Sequence, residues 1–237
     1  MAMAGGGCFV GWYDLIAGGD AEHDHWHTHE HMIERVAIPG FLRGSRYRAL
    51  DGGPRVCVVY QGTALTTFVS PAYLERLNNP TTWSKRCLPL FIGMNRTLCS
   101  VAASYGHGIG GTLLSIRLSP RDGEADRLRN WLAGEALPEL AGRPGLCGAH
   151  LLIADPAASQ TGSQEKLLRG APDLIADWIV LVEAYERAVL EGVRAEFEGT
   201  DGLAAHGAAA GHQAGLYGLD FTLGEDEAKR IWRGPDT

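Results

Sequence analysis

The sequence has no apolar run approaching the roughly 20 residues of a bilayer-spanning helix, which argues against a membrane-embedded chain. It also lacks a basic stripe. With 21 Lys and Arg against 28 Asp and Glu, the net charge is −7, a poor match for nucleic acid. None of the five cysteines (Cys8, Cys57, Cys87, Cys99 and Cys147) forms a CxxC pair, and their odd number suits no disulfide framework. Buried free thiols in a reducing cytoplasm are the expectation. The Gly-rich SYGHGIGG around His107 lacks the GxGxxG spacing of a phosphate loop. HExxH is missing too: His29 is followed by Glu30 and His31, and position 33 is Ile. The opening MAMAGGG has neither a charged region nor an apolar core, and is expected to be a disordered leader over 1–7 instead of a signal peptide.

At 237 residues, 45% hydrophobic and 21% charged, the chain suits one large globular domain or two small ones. An internal repeat decides how it is organised. WHTHEHMIERVAIPGFL (26–42) and WLAGEALPELAGRPGLC (131–147) align without a gap, matching Trp26 with Trp131, Glu30 with Glu135, Glu34 with Glu139 and Pro39-Gly40 with Pro144-Gly145. Strand-like runs flank each copy: 8–17 and 41–50 in the first, 111–120 and 146–155 in the second. Each half continues with a strand, a helix and a last strand. In the first these are 54–63, 70–77 (Ser70 as N-cap, Pro71 at the first helical position) and 97–105. In the second they fall within 174–185, 186–197 and 214–223. The order βαββαβ per half is that of the ferredoxin-like unit. The expected fold is therefore α+β: two tandem ferredoxin-like halves, 8–107 and 108–225, forming an intramolecular pseudo-dimeric α/β barrel with a cavity within and a tail at 226–237. The segment 156–172 is expected to be a loop specific to the second half, 78–96 a Trp-bearing connection specific to the first, and 199–213 a mobile small-residue stretch.

A Trp, a histidine-bearing helix start and a Pro-Gly pair opening an aromatic and Arg-rich strand resemble the dimeric α/β-barrel superfamily, in its EthD-like and muconolactone-isomerase-like branches. Those branches carry a His eight residues before the Pro, the place of His31 here. The second half has Ala136 at the matching position. EthD-like sequences hold the Trp four residues before that His, whereas Trp26 stands five before His31, which shifts the helix phase between them. The resemblance implies the barrel fold. For chemistry it is open, since the superfamily includes isomerases, cyclases, monooxygenases and haem enzymes.

Five of nine histidines fall at alternate positions from His23 to His31. The second copy replaces His27, His29 and His31 by Leu132, Gly134 and Ala136, so the fold itself does not require them. On a regular helix Trp26, Ile33, Val36 and Ala37 form the core stripe, His29 falls within it, and His27, His31 and Glu34 share another face. His23 and His25 precede the expected helix and should face solvent. One well-placed imidazole suffices for general acid/base catalysis. His31 is the candidate by family position, His27 the next, and His29 the candidate by helical phase. His27 and His31 at i, i+4 also have metal-ligand spacing, but no second ligand pair accompanies them, so no metal is expected.

Strand alternation puts Tyr13 on one face of its strand and separates Tyr47 from Arg46. Tyr13, Arg46, Tyr47, Gln61 and Trp83 are candidate substrate-binding residues, able to wall an aromatic site and hold a carboxylate or enolate. Arg117, His150 and Asp177 are polar strand residues expected to face solvent. The expected function is a cofactor-independent, cytoplasmic small-molecule enzyme using histidine acid/base chemistry of isomerase, cyclase or lyase type on a hydrophobic or aromatic metabolite. Its alternatives are a divalent-metal- or haem-dependent oxygenase and a non-catalytic small-ligand binder. A homodimer is possible.

Overall fold

The structure, a computed structural model, describes residues 3–234. Its first half contains β1 (Gly7–Leu15), α1 (Asp20–Trp26), a π turn (His27–His31), α2 (Met32–Val36), β2 (Phe41–Ala49), β3 (Val56–Gly62), α3 (Pro71–Asn78), α4 (Thr82–Cys87) and β4 (Phe91–Gly106). The second half runs through β5 (Thr112–Leu118), α5 (Ala125–Trp131), a second π turn (Leu132–Ala136), α6 (Leu137–Gly142), β6 (Leu146–Ala154), α7 (Pro156–Ser159), α8 (Gln164–Arg169), β7 (Trp178–Ala184), α9 (Arg187–Glu198), β8 (Gln213–Gly224) and α10 (Glu225–Ile231).

The strands close into an antiparallel barrel in the order β1-β3-β2-β8-β5-β7-β6-β4. Within each half the order is the ferredoxin-like one, last-first-third-second. The halves join where each last strand meets the other half's second strand, β4 against β6 and β8 against β2. Closure leaves no unpaired sheet edge. Ser70 caps α3 by accepting from the Tyr73 N–H at 3.3 Å, a cap worth about 1 kcal/mol. The paired Pro-Gly motifs have a common backbone cause. Gly40 (φ +93°) and Gly145 (φ +90°) both turn the chain through the left-handed region, which a side chain resists.

Alternation gives every strand two buried faces. Outside the barrel, the first sheet packs Phe9, Val58, Tyr60 and Leu98 against Met32 and Val36. The second packs Leu114, Ile116 and Val180 against Leu128, Leu132 and Leu190. Inside, Cys8, Val10, Trp12, Val59, Leu113 and Leu181 fill the lumen. The enclosed cavity was expected within the barrel. It lies instead between the first sheet and its helices, because lumen-facing side chains of both halves interdigitate.

Three further segments differ from expectation. In the leader, Met3 is buried, its N–H donates to Ser104 Oγ at 3.2 Å, and the Ala4 N–H donates to Gln61 Oε1 at 2.7 Å. Residues 1–2 of that leader, like 235–237 of the tail, lie outside the described residues. The 156–172 segment, expected as a loop, forms α7 and α8, which pack against β4 and α3 of the first half. In 199–213, Leu203 is buried and His206 stacks on Trp131 at 3.9 Å. No described helix is long and apolar enough to cross a membrane. All five cysteines are free, four of them buried.

Candidate active site

The site starts from the π turn. The Met32 N–H bonds to the His27 carbonyl, five residues back, and the Leu137 N–H bonds to the Leu132 carbonyl at the matching place in the second half. In an unbroken α-helix His31 would point about 140° away from Trp26, at 100° per residue. The inserted residue brings them onto one face, with ring centroids 4.3 Å apart. Trp26 is anchored in turn: its Nε1–H donates to Glu30 Oε1 (3.1 Å) and Ser84 Oγ (3.2 Å), and Glu30 accepts from Thr81 Oγ1 (2.6 Å). Phase, not composition, aims the histidines at the sheet. His23, His27 and His31 fall on the inner face, while His25 and His29 are exposed. A π turn of this kind often marks a functional site.

Beneath it lies a cavity of about 40 Å³, the space open to the centres of water-sized molecules. His27 and His31 form part of its roof, and Phe9, Tyr13, Tyr60 and Met94 part of its floor. Arg35, Tyr73, Arg96, Glu165 and Arg169 close one side. The polar groups form two chains. In one, Asp24 Oδ1 accepts from His23 Nδ1 at 2.8 Å, and the Tyr13 hydroxyl then donates to His23 Nε2 at 2.7 Å, a tautomer fixed by the carboxylate. In the other, the Tyr60 hydroxyl lies 3.3 Å from His27 Nε2. Arg35 pairs with Glu165, both buried. The Arg96 guanidinium covers Phe9 at 5.4 Å and reaches the Tyr73 hydroxyl at 3.5 Å. Arg169 is held by Asp173 at 2.9 Å.

Electrostatics keep the imidazoles neutral. Burial, with Arg48 and Arg46 adding to it, pushes His23 down to about 3. Burial also holds His27 and His31 well below the usual histidine range, reinforced by His23 beside the former and by Arg35 beside the latter. Burial raises the Tyr13 and Tyr60 phenols, so both remain O–H donors at neutral pH. Several buried polar atoms around the cavity have no hydrogen-bond partner among the described residues: His27 Nδ1, His31 Nδ1, Arg169 Nε and Arg35 Nη1, the last lying 3.8 Å from Glu34 Oε1 as a loose ion pair. The His31 ring makes no hydrogen bond to any described residue. Such orphans are uncommon in folded proteins, and each calls for a physical reason.

The structure thus brings together His31, His27 and Tyr13 and separates the other candidates. His29 is on the solvent face, because the π turn moves it out of the core stripe. Tyr47 and Gln61 point into the lumen on the opposite face of the sheet. Arg46 bonds Asp220 at 2.7 Å beside His23, outside the cavity. Trp83 braces α1 from outside, donating to Glu22 at 2.8 Å. Against expectation His23 is fully buried, because the helix starts at Asp20 and includes it. Arg117 and His150 face inward instead of outward; His150 is buried and bonds Ser104 at 3.0 Å. Tyr60, Tyr73, Arg35, Arg96, Glu165 and Arg169 were missed. The parity Val56-Val58-Tyr60 was a usable signal for Tyr60. No local pattern announces Glu165 and Arg169, which come from the other half's insertion.

A resident metal or haem fits poorly here. His27 and His31 offer two imidazoles 5.5 Å apart, but the third histidine of this face, His23, commits both its nitrogens to Asp24 and Tyr13. Among the described residues no three His, Cys, Asp or Glu converge on a metal position. The cavity is also far smaller than a porphyrin.

No protein-family model and no curated protein matches this sequence. Solved structures do match. An anthrone oxidase-like protein superposes with TM-score 0.64 at 13% identity, over 94% of each chain. A putative monooxygenase from Lactobacillus acidophilus NCFM gives 0.59 at 8% identity, over 93% of this chain and 97% of that one. A putative chlorite dismutase gives 0.54 at 13%, over 95% and 99%. At these identities the likeness is one of fold: the chain shares with these structures a closed α+β barrel, here built from two ferredoxin-like halves of one polypeptide.

Proposed function

We propose that the first-half cavity belongs to a cofactor-independent enzyme in which His31 moves a proton of a small, hydrophobic or aromatic, enolisable molecule, in isomerase, cyclase or lyase-type chemistry. The observation that carries this is the His31 ring: it lines an aromatic-walled cavity and makes no hydrogen bond to any described residue, and burial with Arg35 nearby favours its neutral form. A neutral imidazole is ready to take a proton from carbon at neutral pH. Its conjugate acid, formed near the Arg35 and Arg169 cations, gives that proton back readily, which suits return to a different atom. The Tyr60 hydroxyl and Arg35 Nη1, which makes no hydrogen bond to a described residue and only a loose ion pair with Glu34 at 3.8 Å, supply donors for the oxygen that turns anionic as the proton leaves. His27 orients Tyr60. Two or three waters fill about 40 Å³, so a substrate enters only if a wall moves. The wall least tied to the barrel is α8, held over the cavity by the Arg35–Glu165 pair.

Anthrone, an enolisable aromatic ketone suggested by a structural neighbour's name, is a suitable probe. Loss of a proton from its ring methylene leaves an enolate whose charge rests on oxygen, and return of a deuteron in D₂O labels the carbon. The wild-type protein is expected to accelerate this exchange, and His31→Ala to slow it by about 10²–10⁴-fold, while exposed His29→Ala leaves it unchanged. Equal rates for wild type and His31→Ala would overturn the histidine mechanism. Anthrone that binds without exchanging would favour a ligand-binding protein. Stoichiometric metal in the purified protein, lost in His27→Ala, would replace the cofactor-free reading with a metal-dependent one.

A further inference from the structure

On β1 the side chains of Tyr13 and Trp12 point to opposite faces. Tyr13 enters the cavity described above; Trp12 caps the filled lumen and forms the base of a separate cleft at one mouth of the barrel. That cleft measures about 500 Å³, within the range of roughly 300–1,000 Å³ common for small-molecule sites. It exists because residues that would fill it have no side chain. Ser115 of β5 pairs with Gly215 of β8, and Gly52 and Gly53 lie on the rim. A Cβ on Gly215 would fall 2.8 Å from the Tyr217 ring, and one on Gly53 2.9 Å from the Tyr217 hydroxyl.

Two polar groups in the cleft have no hydrogen-bond partner among the described residues. The Arg117 guanidinium lies over the Trp12 ring at 4.9 Å, half-buried. Among the described residues it forms no hydrogen bond and no ion pair, so its fork of five N–H donors is unused. Ser115, 2% exposed, lines the same cleft, and its Oγ has no hydrogen-bond partner among the described residues. The nearby acids are already engaged. Asp51 takes Arg194 at 2.6 Å and the Leu216 N–H at 3.1 Å, and Glu198 takes Arg194 at 3.0 Å. Arg117 is therefore an uncompensated cation in a concave site of a protein whose net charge is −7. Burial works against that charge and finds no carboxylate to offset it.

We infer that the barrel mouth is a second ligand site, which takes a small monocarboxylate through a fork-to-carboxylate pairing with Arg117 and a hydrogen bond from the Ser115 hydroxyl. A guanidinium matches the two oxygens of a carboxylate in one plane. One cation and one hydroxyl suit a single negative charge, and Trp12, Pro54, Leu174 and Tyr217 give an apolar body somewhere to lie. The inference does not depend on the histidine reading, since the two sites lie on opposite faces of the sheet and share no lining residue.

Benzoate is the probe, with benzamide as its neutral counterpart of the same shape, titrated into the full chain and followed by ¹H–¹⁵N NMR. Benzoate is expected to give saturable shifts at the Trp12 and Gly53 amides and to bind about tenfold or more tightly than benzamide, a comparison that needs no variant. Arg117→Gln is expected to lose about tenfold in benzoate affinity, and Ser115→Ala about threefold. The site is ruled out if benzamide matches benzoate, if Arg117→Gln retains wild-type affinity, or if the shifts are absent or confined to Tyr60 and His31.

Discussion

Among single residues, His23 shows how little of a side chain's fate is visible locally. Placed before the helix, it would be one more solvated histidine. In the structure it is fully buried, wedged between Asp24 and the Tyr13 hydroxyl. The cost of burying an imidazole is met by satisfying both nitrogens, and the carboxylate fixes which of them carries the proton. Tyr13→Phe tests this account. The phenyl ring keeps its packing on Phe91, whose centroid is 4.2 Å away, but His23 Nε2 loses its donor. Unfolding in urea is expected to show a loss of about 1–3 kcal/mol, the cost of a buried unpaired group. A change within ~0.5 kcal/mol, typical of a neutral surface substitution, would mean that His23 is satisfied some other way.

At the scale of elements the π turn carries most of the argument. A helical wheel assumes constant phase, so it set His29 in the core and turned His31 away from it. The family position pointed to His31, and the spacing of five from Trp26 was the trace of an inserted residue. That trace was legible; its physical form was not, because a one-residue bulge leaves composition and periodicity almost unchanged. The aligned π turn at Leu132–Ala136 shows that the bulge belongs to the duplicated unit, with histidines present in one copy only. Deleting Thr28 should restore the 3.6-residue phase and pull His31 off Trp26. Deleting Ala133, its counterpart, should do the same to a helix that carries no histidine. Both deletions are expected to cost stability. Only the Thr28 deletion is expected to abolish proton exchange from anthrone and to change the near-ultraviolet dichroism of the Trp26–His31 stack. Equal loss of exchange in the two would show that the π turn serves folding alone.

The whole molecule was legible where duplication wrote it twice. The Trp and Pro-Gly frame recurs, strands alternate around it, and the left-handed Gly40 and Gly145 close the same turn in each half. The asymmetry was hidden, because Glu165 and Arg169 reach the first-half cavity from an insertion 130 or more residues away from Arg35 and His31 along the chain. The result is a fold that holds four histidines neutral, and this has a consequence for acid stability. His23 is held near 3, His150 near 4, and His27 and His31 well below the ordinary value of 6.5. Above that value these groups are neutral in both folded and unfolded chains and stability does not depend on them. As pH falls below it, the unfolded chain takes up protons that the folded chain refuses, so stability drops by about 1.4 kcal/mol per pH unit for each histidine. Buried Glu183, pushed up to about 7, acts in the opposite sense. Its folded form binds a proton that the unfolded form releases, so it loses stability as pH rises from about 4.5 to 7; Glu34, raised by burial, acts likewise. Four histidines outweigh two carboxyls, and the urea midpoint is expected to fall steeply between pH 6.5 and 5. Glu183→Gln, which removes the larger opposing group, should make that fall steeper, whereas a midpoint level across this range would show that the histidines are not held neutral by burial.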